Sequence, residues 1–91
     1  MHLSDLIYSD GLIEEYEMSE QTLHLRFQDY LGIRWLLSFF DVVTIRERGS
    51  IGISIAKVDW KRNTPHSTLS FWDDEQVVLM LIFSHCRIEH L

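Results

Sequence analysis

Cysteine is nearly missing from this chain: Cys86 is the single one among 91 residues. One thiol cannot close an intramolecular disulfide, so the core must hold the fold, and a reducing compartment suits it. Proline is as scarce, with Pro65 alone, and the four glycines are scattered. That excludes linker-like and collagen-like chains and leaves no glycine-rich loop to cradle a phosphate. No P-loop, GxGxxG, Gly-x-Ser-x-Gly elbow or Cys-x-x-Cys occurs. Cations are outnumbered 8 to 14, and the formal charge of −6 argues against nucleic acid, whose phosphates are bound by clustered Lys and Arg. The densest apolar stretch, Leu31 to Ile45, is shorter than the roughly 20 apolar residues a bilayer span needs. Arg34 and Asp41 also interrupt it. The opening Met-His-Leu-Ser-Asp has neither a basic nor an apolar signal region. The expectation is one cytoplasmic domain over residues 1–91 with no membrane association.

What the chain does have is core-forming material. An apolar fraction of 46% with 12% aromatics rules out a disordered chain. The 31–45 stretch carries two periods. Leu36, Phe39, Phe40 and Val43 have helical spacing, whereas Ile33, Trp35, Leu37 and Phe39 alternate as in a strand. Consecutive β-branched Val42 to Ile45, and Gly32 without a good N-cap, favour strands. The spacing predicts strands over 33–40 and 42–47 with a bend near Phe40-Asp41, the helix remaining the competing reading.

The rest reads as short strands between turns. Leu3 to Ile7 is a turn of helix or an irregular lead-in, and Ser9-Asp10-Gly11 is a turn. Over 11–18, Leu12, Glu14, Tyr16 and Met18 fall on one face and Ile13, Glu15 and Glu17 on the other. Over 21–29, Leu23, Leu25 and Phe27 alternate with Thr22, His24, Arg26 and Gln28, the pattern of an antiparallel strand with one wet face. Ile51, Ile53 and Ile55 alternate with small residues, 57–64 reads as the longest loop, and 67–72 alternates again. Asp73-Asp74-Glu75 is a hairpin tip. Residues 76–83 are nearly all apolar, as in a strand covered on both faces, and a last strand follows a bend at 84–86. The fold class is all-β, with at most a short N-terminal helix. Its strands form a mostly antiparallel small sandwich or curved barrel with meander connections.

Charge is unevenly spread. Residues 1–30 hold seven acids and one base, 31–70 six bases and three acids, and 71–91 four acids and one base. Either acidic and basic strands pair within the fold, or an acidic surface steers a basic protein partner.

Sites for chemistry are few. His85, Cys86 and His90 invite a metal reading, but one- and five-residue separations on a strand point to opposite faces. The same divergence separates Cys86 from His85 and Ser67 from His66 as nucleophile and base. Glu15 and Glu17 share a face about 6.5–7 Å apart, compatible with paired carboxylates but equally with an ordinary wet strand face. Trp60 lies beside Asp59, Lys61 and Arg62, and Trp72 beside Asp73 and Asp74. Aromatics ringed by charge are common interface anchors, although both could fold back as lids on the core.

The order Asp10-Gly11-Leu12-Ile13, then Gln21 to Phe27, then Phe40-Asp41-Val42-Val43 resembles small bacterial β-rich proteins of unknown function, some of them immunity-protein-like. The closing Phe71-Trp72-Asp73-Asp74-Glu75 and Val77 to Glu89 are similar to their final hairpin. The resemblance implies a non-enzymatic protein and supplies no catalytic residue. The expected function is a non-catalytic protein-interaction module, immunity-like, with no cofactor and no metal. Its partner is a basic protein or a second copy in a homodimer, bound through Trp60, Trp72, Asp73, Asp74, Glu15 and Glu17. The alternatives are a structural homo-oligomer built on exposed sheet edges and a small-ligand-binding β domain.

Overall fold

The computed structural model describes residues 2–91. A 3-10 turn at Leu3–Asp5 precedes eight strands: β1 Leu12–Ser19, β2 Thr22–Gln28, β3 Arg34–Phe40, β4 Thr44–Glu47, β5 Lys57–Lys61, β6 Ser67–Trp72, β7 Val77–Phe83 and β8 His85–His90. They form two four-stranded antiparallel sheets, β1-β2-β3-β8 and β4-β7-β6-β5. The all-β antiparallel sandwich is therefore the observed class, and the two sheets do not close into a barrel.

Two of the sequence's longest apolar runs bridge both sheets. β3 leads into β4 and β7 into β8, and the two runs pair with each other on either side of a shared bend. At that bend Ser84 N–H donates to Phe40 O and Val43 N–H to Ile82 O, each at 2.9 Å. Asp41 turns the chain with φ 54°, a left-handed conformation that Asp tolerates better than most residues. Strands that change sheets at a bend are the usual corner device of packed sheets. They also break the expected meander, because β8 lies beside β3 and β4 beside β7.

The core lies between the sheets. Leu23, Leu25 and Phe27 of β2, Leu37 and Phe39 of β3, Leu69 and Phe71 of β6, and Leu79, Leu81 and Phe83 of β7 are all buried. Phe39 meets Phe83 edge-on across the layers, with centroids 4.9 Å apart. Each such side chain contributes about 1.5–3 kcal/mol through burial. Asp29 fastens the β2–β3 turn, accepting from Leu31 N–H and Ile33 N–H at 2.9 Å and from Trp35 Nε1–H at 3.0 Å. Its burial works to raise the carboxyl, but those donors, with His90 nearby, hold it below the ordinary range.

Three local readings are corrected. β1 contains a register shift between Ile13 and Glu15, so Glu14 is an extra residue. That moves buried Ile13 onto the same side as Tyr16 and Met18 and leaves Glu15 and Glu17 facing out. The alternating isoleucines of 51–55 form no strand, only isolated bridges Ile13–Ile51 and Leu12–Ser54, because Gly52 turns the chain at φ 78°. The segment read as the longest loop contains β5, in which Val58 and Trp60 face the core while Lys57, Asp59 and Lys61 face solvent. Among the described residues no helix is long and apolar enough to cross a membrane.

Candidate functional site

Each sheet has two edges, and the two sides of the sandwich treat them differently. On the β5/β8 side the N-terminal segment fills the opening. Leu3 and Leu6 are buried, and Tyr8 packs edge-on against Phe71 at 5.8 Å. The Tyr8 hydroxyl donates to Leu3 O at 2.8 Å. Trp60 of β5 lies against this segment, sharing shallow hollows with Leu3, Leu6 and Cys86. Burial, and then the neighbouring Cys86, push the Tyr8 hydroxyl above its usual range, and burial pushes the Cys86 thiol up to about 12.

On the β1/β4 side no described segment folds over the opening. The two edges are tethered only at their ends. Val42 N–H donates to Gln21 O at 2.8 Å at one end, and Gly52 N–H donates to Ile13 O at 2.8 Å at the other. Between these tethers β1 and β4 run past one another in opposite directions, each edge of a separate sheet. Arg48 N–H donates to Val78 O at 2.8 Å, so the two-residue alternation turns the Ile45 and Glu47 amides away from β7. The lip of this seam is apolar: Met18 is 41%, Val43 55% and Ile45 37% exposed. Tyr16 lies inside it, its hydroxyl raised by desolvation and then by the Glu47 carboxylate.

The outer faces beside the seam carry opposite charge. Next to β1, an open hollow of about 510 Å³ is lined by Glu15, Tyr16, Glu17, His24, Arg26 and Leu36. Glu15 pairs with Arg26 at 3.2 Å, and Glu17 stands opposite His24 in the ladder. His24 Nδ1 lies 2.9 Å from Ser38 Oγ. This Glu–His–Ser row spans three adjacent strands, yet Ser38 is 1% exposed, which leaves a substrate no approach to its hydroxyl. Next to β4, a hollow of about 270 Å³ is lined by Arg46, Arg48, Ser70, Gln76, Val77 and Met80. The three ion pairs among the described residues, Arg26–Glu15, Arg34–Glu14 and Arg87–Glu89, all belong to the β1-β2-β3-β8 sheet. Arg46 and Arg48 belong to none of them.

Of the residues singled out from sequence, Glu15 and Glu17 line the seam and the others do not. Trp60 faces inward beside the N-terminal segment, with the Arg62 guanidinium 5.1 Å above its ring. Trp72 stands on the outer face of the same sheet under the Lys57 ammonium, 4.5 Å away. Asp73 accepts from Glu75 N–H and Gln76 N–H at 2.7 Å, which holds its carboxyl low and ties it into the hairpin tip, and Asp74 is exposed beside it. The six residues therefore form no common patch. Of the three ion pairs only Arg34–Glu14 joins the acidic first third of the chain to its basic middle, and it does so across non-neighbouring strands β1 and β3. Arg46, Arg48, Ile45 and Met18 were missed. Their only signal was the alternating arginines of Ile45-Arg46-Glu47-Arg48, set against the alternating glutamates of Glu15-Tyr16-Glu17-Met18.

His85 stacks on Phe40 at 4.7 Å and His90 packs on Trp35 at 5.2 Å, on opposite faces of β8. Among the described residues, no three His, Cys, Asp or Glu side chains converge. The chain matches no family model, no curated protein and no solved structure.

Proposed function

We propose that the protein is a non-catalytic protein-interaction module, immunity-like as its sequence resemblance implies, that binds by strand addition along the open β1/β4 seam. One observation carries this reading: two unpaired strand edges flank an exposed apolar lip of Met18, Val43 and Ile45. Natural edge strands are commonly covered, bulged or charged to prevent pairing, and an apolar, β-branched edge with outward amides is a template for another strand. The side chains around it specify the occupant. Arg46 and Arg48 on the outer side, with Ile45 on the inner side and exposed Val43 just before the strand, suit an extended segment of alternating acidic and apolar residues.

Panning a displayed peptide library on the immobilised protein tests this. Enriched peptides should alternate acidic with apolar residues and lose binding to the Ile45→Lys and Arg46→Glu proteins, both of which should keep the parent circular-dichroism spectrum. Peptides that lack the alternation, or that bind the Ile45→Lys protein equally well, would contradict it.

A further inference from the structure

We infer that the strand accepted by this seam is β1 of a second copy, in a reciprocal dimer where β1 of each protomer pairs antiparallel with β4 of the other. The inference rests on the strand-addition reading and names its occupant. An acidic–apolar alternating strand with a free edge is already present in the chain: Glu15 and Glu17 face outward, Tyr16 and Met18 inward. The β1 edge in turn needs a strand with bases on its outer side, and β4 presents Arg46 there, followed by Arg48 just past its end, with Ile45 and Glu47 on the inner side. A partner that satisfies both edges must offer both kinds of strand on one side, as a second copy does.

Like faces and opposite charges set the register: Glu17 faces Arg46 and Glu15 faces Arg48 on the outer side, with Met18 facing Ile45 and Tyr16 facing Glu47 on the inner side. A two-fold axis parallel to the strands sets β1 of one protomer antiparallel to β4 of the other. It also keeps outer faces outer, so both Glu–Arg pairs lie on one surface and the Met–Ile pair lies inside. The alternating row Arg26–Glu15 is thereby extended by a second arginine, and Glu17 comes to sit between His24 and Arg46. The competing two-fold, perpendicular to the sheets, sets β1 against β1 and places like-charged glutamates opposite each other, which is unfavourable.

Cysteine mixing tests the pairing. In a Cys86→Ser background, Glu17→Cys protein is mixed with Arg46→Cys protein under mild oxidation. Opposed cross-strand Cβ atoms stand about 4.5–5.5 Å apart, near disulfide reach. The expected result is a 17–46 disulfide heterodimer in the mixture, and a covalent dimer from the chain carrying both cysteines. Sedimentation should show Glu17→Arg and Arg46→Glu each as monomer and the combined variant restored to dimer. An intrachain 17–46 bond would overturn the dimer in favour of seam closure within one chain. No cross-link in the mixture, with peptide binding at β4 intact, would remove the second copy and leave the strand-addition reading standing. Loss of both would remove both.

Discussion

The two sides of this sandwich hold similar apolar material and use it in opposite ways. On the β5/β8 side, Leu3, Leu6 and Tyr8 fold back over the gap, and Leu3 is only 5% exposed. On the β1/β4 side, Met18, Val43 and Ile45 stay at the surface, with Ile45 37% exposed. No described segment of the chain covers them. The difference separates apolar residues that hold the fold from apolar residues that are free to meet another chain, although composition treats them alike.

The same substitution on each side should expose that difference most strongly. Leu3→Lys puts a charge into the filled side and should cost about 2–5 kcal/mol, read as a lowered urea midpoint. Ile45→Lys on the open side should change that midpoint by no more than about 0.5 kcal/mol, yet abolish concentration-dependent association. Equal destabilisation by the two would break the comparison.

Gly11→Ala should follow in size. A Cβ there would run into Phe27 Cζ and lie 2.8 Å from Gln28 O, so the start of β1 must shift. The expected cost is about 1–3 kcal/mol in a denaturant titration, the range for overpacking.

These positions also show how far the sequence could be read. The clean alternation of Leu23, Leu25 and Phe27 gave β2 at once, because one wet face and one dry face leave a period-two imprint. β1 was harder. Its extra residue, Glu14, inverts the apparent faces, and no local pattern announces a bulge. β5 was hidden because Lys57, Asp59 and Lys61 look like loop residues until Val58 and Trp60 are seen to share the opposite face. The 51–55 isoleucines misled in the other direction, since alternation cannot reveal the positive φ of Gly52. For the site, Glu15 and Glu17 were legible as an acidic strand face. Arg46 and Ile45 were not, because being an edge depends on which strands pair, and that is set by long-range topology.

Smaller effects sharpen the closed side further. Tyr8→Phe removes the hydroxyl that donates to Leu3 O at 2.8 Å, while the ring keeps its contacts with Phe27 and Phe71. The cost should be about 0.5–1.5 kcal/mol by thermal or urea unfolding. A loss near that of Leu3→Lys would mean that the hydroxyl, not apolar packing, holds the plug.

Cys86 offers a chemical readout. With its pKa pushed up to about 12 by burial, the folded protein holds the neutral thiol. An ordinary thiol has a pKa near 8.5, so iodoacetamide at pH 8 should react with the folded chain roughly a thousandfold more slowly than with the urea-unfolded one. The unfolded state loses its thiol proton first. This group's contribution is therefore constant below about pH 8.5 and declines as pH rises from there toward about 12. Rapid labelling of the folded protein would show that the β5/β8 side opens as readily as the seam.

Hydrogen–deuterium exchange across a range of protein concentrations addresses the seam most directly. If β1 and β4 pair between copies, the outward amides of Ile45 and Glu47 and those of residues 14–19 should gain protection as concentration rises. Core amides such as Leu25 and Leu81 should stay unchanged. Exchange at Ile45 and Glu47 that is fast and independent of concentration would contradict it.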